Sequence, residues 1–387
     1  MKKALLVFFA SVLVGSAPLK SQGFTYTVTY TNYPAQAQVA FDYACELWSY
    51  LLYSPIQIKI NTYYYTYPGG PLGITFSNGR RDFTGAIMDS TNYPTSLGNF
   101  LSGTELNPGE YDMDIYVNGA YSWYYGTDGN TPAGQYDFAT VIMHEIGHAL
   151  GFTSLLKKTG ASGSMGMLLQ SDFAPVNPSF PWPDQDSLPG IYDRFIENTA
   201  GAKLDTFANP SNALGAQLTS NQLYFNGPLA VAANAGIRPR LHAPGVFELG
   251  TCILHLNEST YPNGNPEELM TPYVTTGYDH HLPGPVTLAM LQDMGWTLHT
   301  GISGNEKDKT IFRVYPVPAN DYLQVMSNLA LPEDIRVSVF AIDGKTVIPE
   351  FTTRCGTIVS TSGISAGVYF VEIVHENKTY RIRFIKS

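Results

Sequence analysis

The sequence predicts an α+β protein in two parts: a mixed, twisted sheet carrying helices, followed by a small all-β domain. Three observations carry this. Strand-like runs alternate with helical periodicity up to Gly151. Residues 159–250 are rich in Gly, Pro, Asn and Ser and show little periodicity, as a loop-rich insertion would. After a polar linker, the pattern becomes short strands at regular spacing.

The bulk numbers agree. The chain has 387 residues, 44% hydrophobic and 14% charged, with a formal net charge of −10. Such a composition folds around a sizeable core. Its acidic balance opposes binding to a phosphate backbone, so nucleic acid is not expected as a partner.

In chain order, residues 1–22 open with Lys2 and Lys3, continue through an apolar run at 4–17 and end in small residues. This is the pattern of a cleaved export leader. The run is too short to span a bilayer comfortably, and no stable membrane span is expected elsewhere. Residues 24–32 (FTYTVTYTN) alternate as a strand. In 35–53, Val39, Phe41, Ala44, Leu47, Trp48, Leu51 and Leu52 recur near helical spacing, with Pro55 marking the end. Strands are expected at 56–64, 73–76, 84–88 and 113–117 (MDIYV). Asp137 is placed to cap the helix that follows. A last helix is expected over 285–298, with Leu288, Leu291, Met294 and Leu298 on one face. The expected domains are a leader at 1–22, a first domain at 23–302, a linker at 303–309 and a β-sandwich at 310–387. Of Cys45, Cys252 and Cys355, the first two could pair, and three free thiols are the other reading.

The stretch VIMHEIGHALGFTS, residues 141–154, carries the chemistry. Residues four apart share a helix face, so His144 and His148 can direct both imidazoles at one zinc ion. Glu145, beside the first, is placed to act as general base. Ile142, Met143, Ile146, Ala149 and Leu150 make the helix apolar and hence buried, where polar groups without partners are costly. Two histidines leave the site short, because catalytic zinc takes three protein ligands. Gly151 marks a sharp turn through positive φ. Ser154 follows where a ligand could return to the metal, and it is a poor ligand. Among the other histidines, His255 is the first choice. His242 and the pair His280 and His281 stay open, while His299 and His375 lie too far along the chain. A glutamate in that place, Glu248 or Glu258, is a further option.

HEIGHALGF resembles the metzincin zinc-protease motif, in which a third histidine follows the glycine at short spacing. The leishmanolysin-like branch departs from that motif as this chain does at Ser154. It inserts a segment after the Gly-Phe and recovers the third histidine far downstream, shortly before a Met-turn. LHLNE at His255, ELMTP at Met270 and LQDMGW at Trp296 look like the corresponding segments of that branch. The resemblance covers roughly residues 111–296. It implies a metzincin-like catalytic domain, Zn2+ held by His144, His148 and His255, Glu145 as general base, and Met270 as the floor beneath the metal. The implied activity is that of a zinc metalloendopeptidase acting on polypeptide substrates bound extended along an edge strand, for which MDIYV is the candidate. Tyr273 is a candidate donor to the oxyanion. Protozoan members of that branch are made with a long propeptide, and none is read here between the leader and the first strand. The reading from another class is a non-catalytic binding or adhesion protein on the same scaffold. The retained Glu145 argues against it.

VYPVPANDYLQV, AIDGK, ISAGVYFVEI and the terminal YRIRFIKS resemble the sorting domain of the type IX secretion system of the Bacteroidetes. That resemblance implies the type IX machinery as a partner, and a secreted or outer-surface location reached through the periplasm. GTDGN, with Asp128 and Asn130, reads as a turn before it reads as a calcium site, which needs more oxygen ligands.

Overall fold

The computed structural model describes residues 23–127, 129–173, 186–298, 312–315, 319, 321–327, 334–341, 344–365, 367–375 and 378–386. The expected leader, the linker at 303–309, Asp128 and His299 lie outside the described residues. The architecture is mixed α+β, with several small sheets.

The principal sheet has four strands in the order Tyr26–Thr31, Ile58–Tyr65, Met113–Asn118 and Gly73–Ser77. The first three run parallel and the last is antiparallel. Parallel neighbours need a long crossover, and the helix Ala35–Leu51 supplies the first. Its buried face is Ala37, Ala40, Phe41, Ala44, Leu47 and Trp48, while Val39 points into solvent. Val39 therefore does not belong to the apolar stripe expected of it. The helix ends at Leu51, and Leu52–Tyr53 turns into a short ladder with Thr297–Leu298.

Two strand expectations change. Residues 84–88 form turns and no strand. Just before and after them, Gly79–Arg80 pairs with Tyr93–Pro94, which leads into an unexpected helix, Thr95–Ser102. MDIYV is not an edge strand. Met113–Asn118 lies inside the sheet, with Met113, Ile115 and Val117 fully buried, and Gly73–Ser77 forms the edge on its side, Tyr26–Thr31 the other. The reason is packing: an apolar strand is stabilised where it is covered on both flanks, and the shorter GITFS segment is left outside.

The helix Phe138–Ala149 packs against Ala35–Leu51 and against the edge strand. The Trp48 indole donates to the Met143 carbonyl at 2.9 Å, fixing one helix on the other. The final helix, Pro285–Asp293, is shorter than expected. Gly295 takes a φ of +121°, and Leu298 leaves the helix for the ladder with Leu52. Two contacts hold this segment. Glu267 accepts hydrogen bonds from the Val286 and Thr287 amides, and the Trp296 indole donates to Leu150 O at 2.7 Å.

The insertion is loop-rich, and its buried side chains join the core that the sheet and helices share. Its hairpin Leu156–Thr159 with Ser162–Met165, and the pair Ile196–Asn198 with Leu223–Phe225, surround the fully buried Ile196, Leu214, Leu218 and Phe225. Cys45, Cys252 and Cys355 are all free thiols, so the possible Cys45–Cys252 pairing is not made.

The C-terminal part has two antiparallel sheets. One orders Phe312–Tyr315, Tyr322–Ser327 and Ile358–Ser360; the other orders Thr346–Thr353, Ile335–Ala341, Gly367–His375 and Lys378–Lys386. Leu323 and Val325 from the first share one buried cluster with Val337, Val339, Val371 and Ile373 from the second. The strands Thr346–Thr353 and Ile358–Ser360 are the hardest of these to read locally, because Thr, Pro and Glu mask the alternation in the first and the second is very short.

Candidate metal centre

The helix Phe138–Ala149 begins at Asp137, whose carboxylate accepts from the Thr140 amide at 3.3 Å and meets His281 Nε2 at 3.0 Å. Along the helix, His144, Glu145 and His148 turn toward a cleft of about 760 Å³. The edge strand Gly73–Ser77 forms one wall of this cleft, and residues of the insertion and the Met270 turn line the rest.

His255 arrives from the far side. Its segment is fixed by backbone bonds between His242 and His255, between Ile253 and His242, and between Leu256 and Met270. The three Nε2 atoms converge at 2.9 Å for His144–His148 and at 3.1 Å for each pair with His255. Each Nδ1 faces a backbone carbonyl: His144 to Leu269 at 2.6 Å, His148 to Phe152 at 2.6 Å, His255 to Thr251 at 2.7 Å. A carbonyl can only accept, so each Nδ1 carries the proton and each Nε2 presents a lone pair. Burial holds all three imidazoles below their ordinary pKa, and hence neutral.

Three neutral lone pairs pointing at one another repel unless a cation lies between them. Zn–N bonds of ~2.0–2.1 Å in a tetrahedron separate ligand nitrogens by roughly 3.3 Å, close to what is seen. The donor set therefore fits a zinc ion, with each ligand oriented by a carbonyl behind it. Among the described residues, these three form the one cluster of metal-ligating groups.

The turn after the helix explains Gly151 and Ser154. Gly151 has a φ of +133°, a region that only glycine enters readily. The Phe152 amide then bonds to Gly147 O, and the Phe152 carbonyl comes onto His148. Ser154 donates to the buried Asp193 at 2.6 Å and is not among the converging ligands. Gly151→Ala is expected to cost ~1–3 kcal/mol of stability from backbone strain. Because the Phe152 carbonyl would shift, zinc affinity should fall by roughly 10-fold. Thermal unfolding and a competitive zinc titration would check both.

Met270 is fully buried beneath the helix. A Cβ at Gly147 would stand 2.8 Å from its sulfur, so that glycine lets the methionine approach. None of the alternatives to His255 joins the three converging nitrogens. His280 pairs with Glu268 at 2.7 Å, and His281 pairs with Asp137. His242 stands beside the Tyr273 ring. Glu248 is exposed at the cleft, and Glu258 stands outside the three converging histidines. His375 is buried in the C-terminal part. Tyr273 is exposed at the cleft rim.

Glu145 is buried, which pushes its carboxyl up to about 7, while the Thr75 hydroxyl, donating to Oε2 at 2.6 Å, draws it down. A bound dication would lower it further. Thr75 and Gly73, which crowd this carboxylate, were not found from the sequence. No local spacing signals a contact made across the sheet.

Among the described residues no helix is long and apolar enough to cross a membrane. No curated protein matches the chain. Residues 313–387 match the family of the secretion system C-terminal sorting domain, so the chain ends in a type IX export tag that engages that machinery and takes the protein to the cell surface or beyond it.

Proposed function

We propose that this exported protein is a zinc-dependent endopeptidase of metzincin type, nearest to the leishmanolysin-like branch. The observation that carries the reading is the convergence of three carbonyl-oriented histidine lone pairs beside Glu145, at the floor of an open cleft. Zinc held by His144, His148 and His255 would polarise the scissile carbonyl and lower the pKa of water to ~7.

The remaining steps fall to the chain. Glu145 takes the proton from the attacking water and delivers it to the leaving amine. The edge strand Gly73–Ser77 offers main-chain hydrogen bonds to an extended substrate. Tyr273, at the rim, would be the candidate donor to the developing oxyanion. The two C-terminal sheets sharing one core support a small β-sandwich for the sorting domain.

The test is zinc content together with casein or gelatin cleavage by the purified chain. Stoichiometric zinc, and cleavage abolished by a chelator and restored by zinc, are expected. Zinc without cleavage would favour a non-catalytic binding protein on this scaffold. Absence of zinc would end the reading. Deletion of residues 313–387 is expected to leave the protein in the periplasm, which cell fractionation with immunoblotting would show.

A further inference from the structure

The strand that forms the cleft wall also touches the base. Asn118 N–H donates to Leu72 O at 2.9 Å, and Asn78 N–H to Asp112 O at 2.9 Å. With the register Ile74↔Tyr116 and Phe76↔Asp114, these bonds put residues 72, 74, 76 and 78 in the hydrogen-bonded pairs. The alternate residues of an antiparallel ladder turn their N–H and C=O to the opposite side. Gly73, Thr75 and Ser77 thus present their main chain to the open edge, where a substrate strand would add.

Two of these same residues meet Glu145. The Thr75 hydroxyl donates to Oε2 at 2.6 Å. Gly73 lies so close that a Cβ there would stand 2.5 Å from Oε1 and 2.7 Å from Cδ. Its φ is not positive, so the missing side chain serves space and not backbone conformation. Thr75 is β-branched, and its χ1 is restricted on a strand, so the hydroxyl is held in one direction.

We propose that Thr75 is the positioning residue of Glu145: carried on the substrate-binding edge, it holds the carboxylate through Oε2, while Oε1 lies in the space that Gly73 keeps open. Pairing of a substrate main chain at residues 73, 75 and 77 then stiffens the strand that orients the base. The catalytic consequence rests on the peptidase reading; the positioning itself does not.

The experiment compares crystal structures and kinetics of the full chain, as purified with its metal, for wild type, Thr75→Val, Thr75→Ser and Gly73→Ala. Thr75→Val should release the carboxylate from its position while zinc content stays unchanged. Its kcat on a quenched fluorescent peptide should fall roughly 10- to 100-fold, the cost of a misplaced catalytic group, with KM little changed. Thr75→Ser should restore both. Gly73→Ala should displace the carboxylate, because the flexible end of Glu145 gives way first. A Glu145 carboxylate that stays in place in Thr75→Val, or a Thr75→Ser that behaves like Thr75→Val, would overturn the proposal. A wild type that cleaves no peptide would defeat the peptidase reading alone, and the crystallographic comparison would still decide the role of Thr75.

Discussion

Glu145→Gln should abolish peptide hydrolysis and leave zinc in place. Glutamine keeps the volume and one oxygen for the Thr75 hydroxyl, so the packing against Gly73 survives. The three histidines are oriented by the carbonyls of Leu269, Phe152 and Thr251, none of which depends on Glu145. The loss is therefore confined to proton transfer, a step to which a positioned base contributes about 10²- to 10⁴-fold. Measured kcat should fall by at least that much, with metal content and melting temperature close to wild type. A variant that retained kcat would show that Glu145 is not the base.

His255→Ala should lose the metal. Two histidines on one helix hold zinc weakly, because catalytic sites use three protein ligands. Loss of an outer group that merely orients a ligand costs ~10- to 100-fold in affinity, and loss of the ligand itself should exceed that. His255 also bonds to Thr251 O, so a cavity opens where its segment meets the helix. Zinc content after dialysis separates this from the alternatives. Glu258→Ala and His242→Ala should keep the metal, since neither residue joins the three converging nitrogens. Zinc retained in His255→Ala and lost in Glu258→Ala would restore the glutamate-ligand reading.

How far the molecule could be read from its sequence follows from the range of each interaction. His144, Glu145 and His148 were legible because helical spacing is local, and Asp137 as the cap for the same reason. Gly151 was legible as a turn because a φ of +133° admits little else. His255 could be reached only by reasoning from what was missing and from the resemblance of LHLNE and ELMTP. The position of MDIYV was misread. Alternation tells that a residue faces a core, and does not tell which strands stand beside it. The helix Thr95–Ser102 was missed for another reason: at 8 residues it is barely two turns, too short for a period to be told from chance. Val39 shows the smaller version of the MDIYV error, since a helical stripe a few residues wide leaves its border to the neighbours.

By itself, the sequence determined the local elements: a buried helix with two histidines and a glutamate, a glycine turn, an export tag at the terminus. Tertiary structure alone decided which histidine faces the other two, which strand is the edge, and that Thr75 stands against Glu145. Those are contacts across long stretches of chain. They are set by how the sheet orders its strands and how the insertion packs, and hydrophobic burial, being non-directional, writes no local pattern for them.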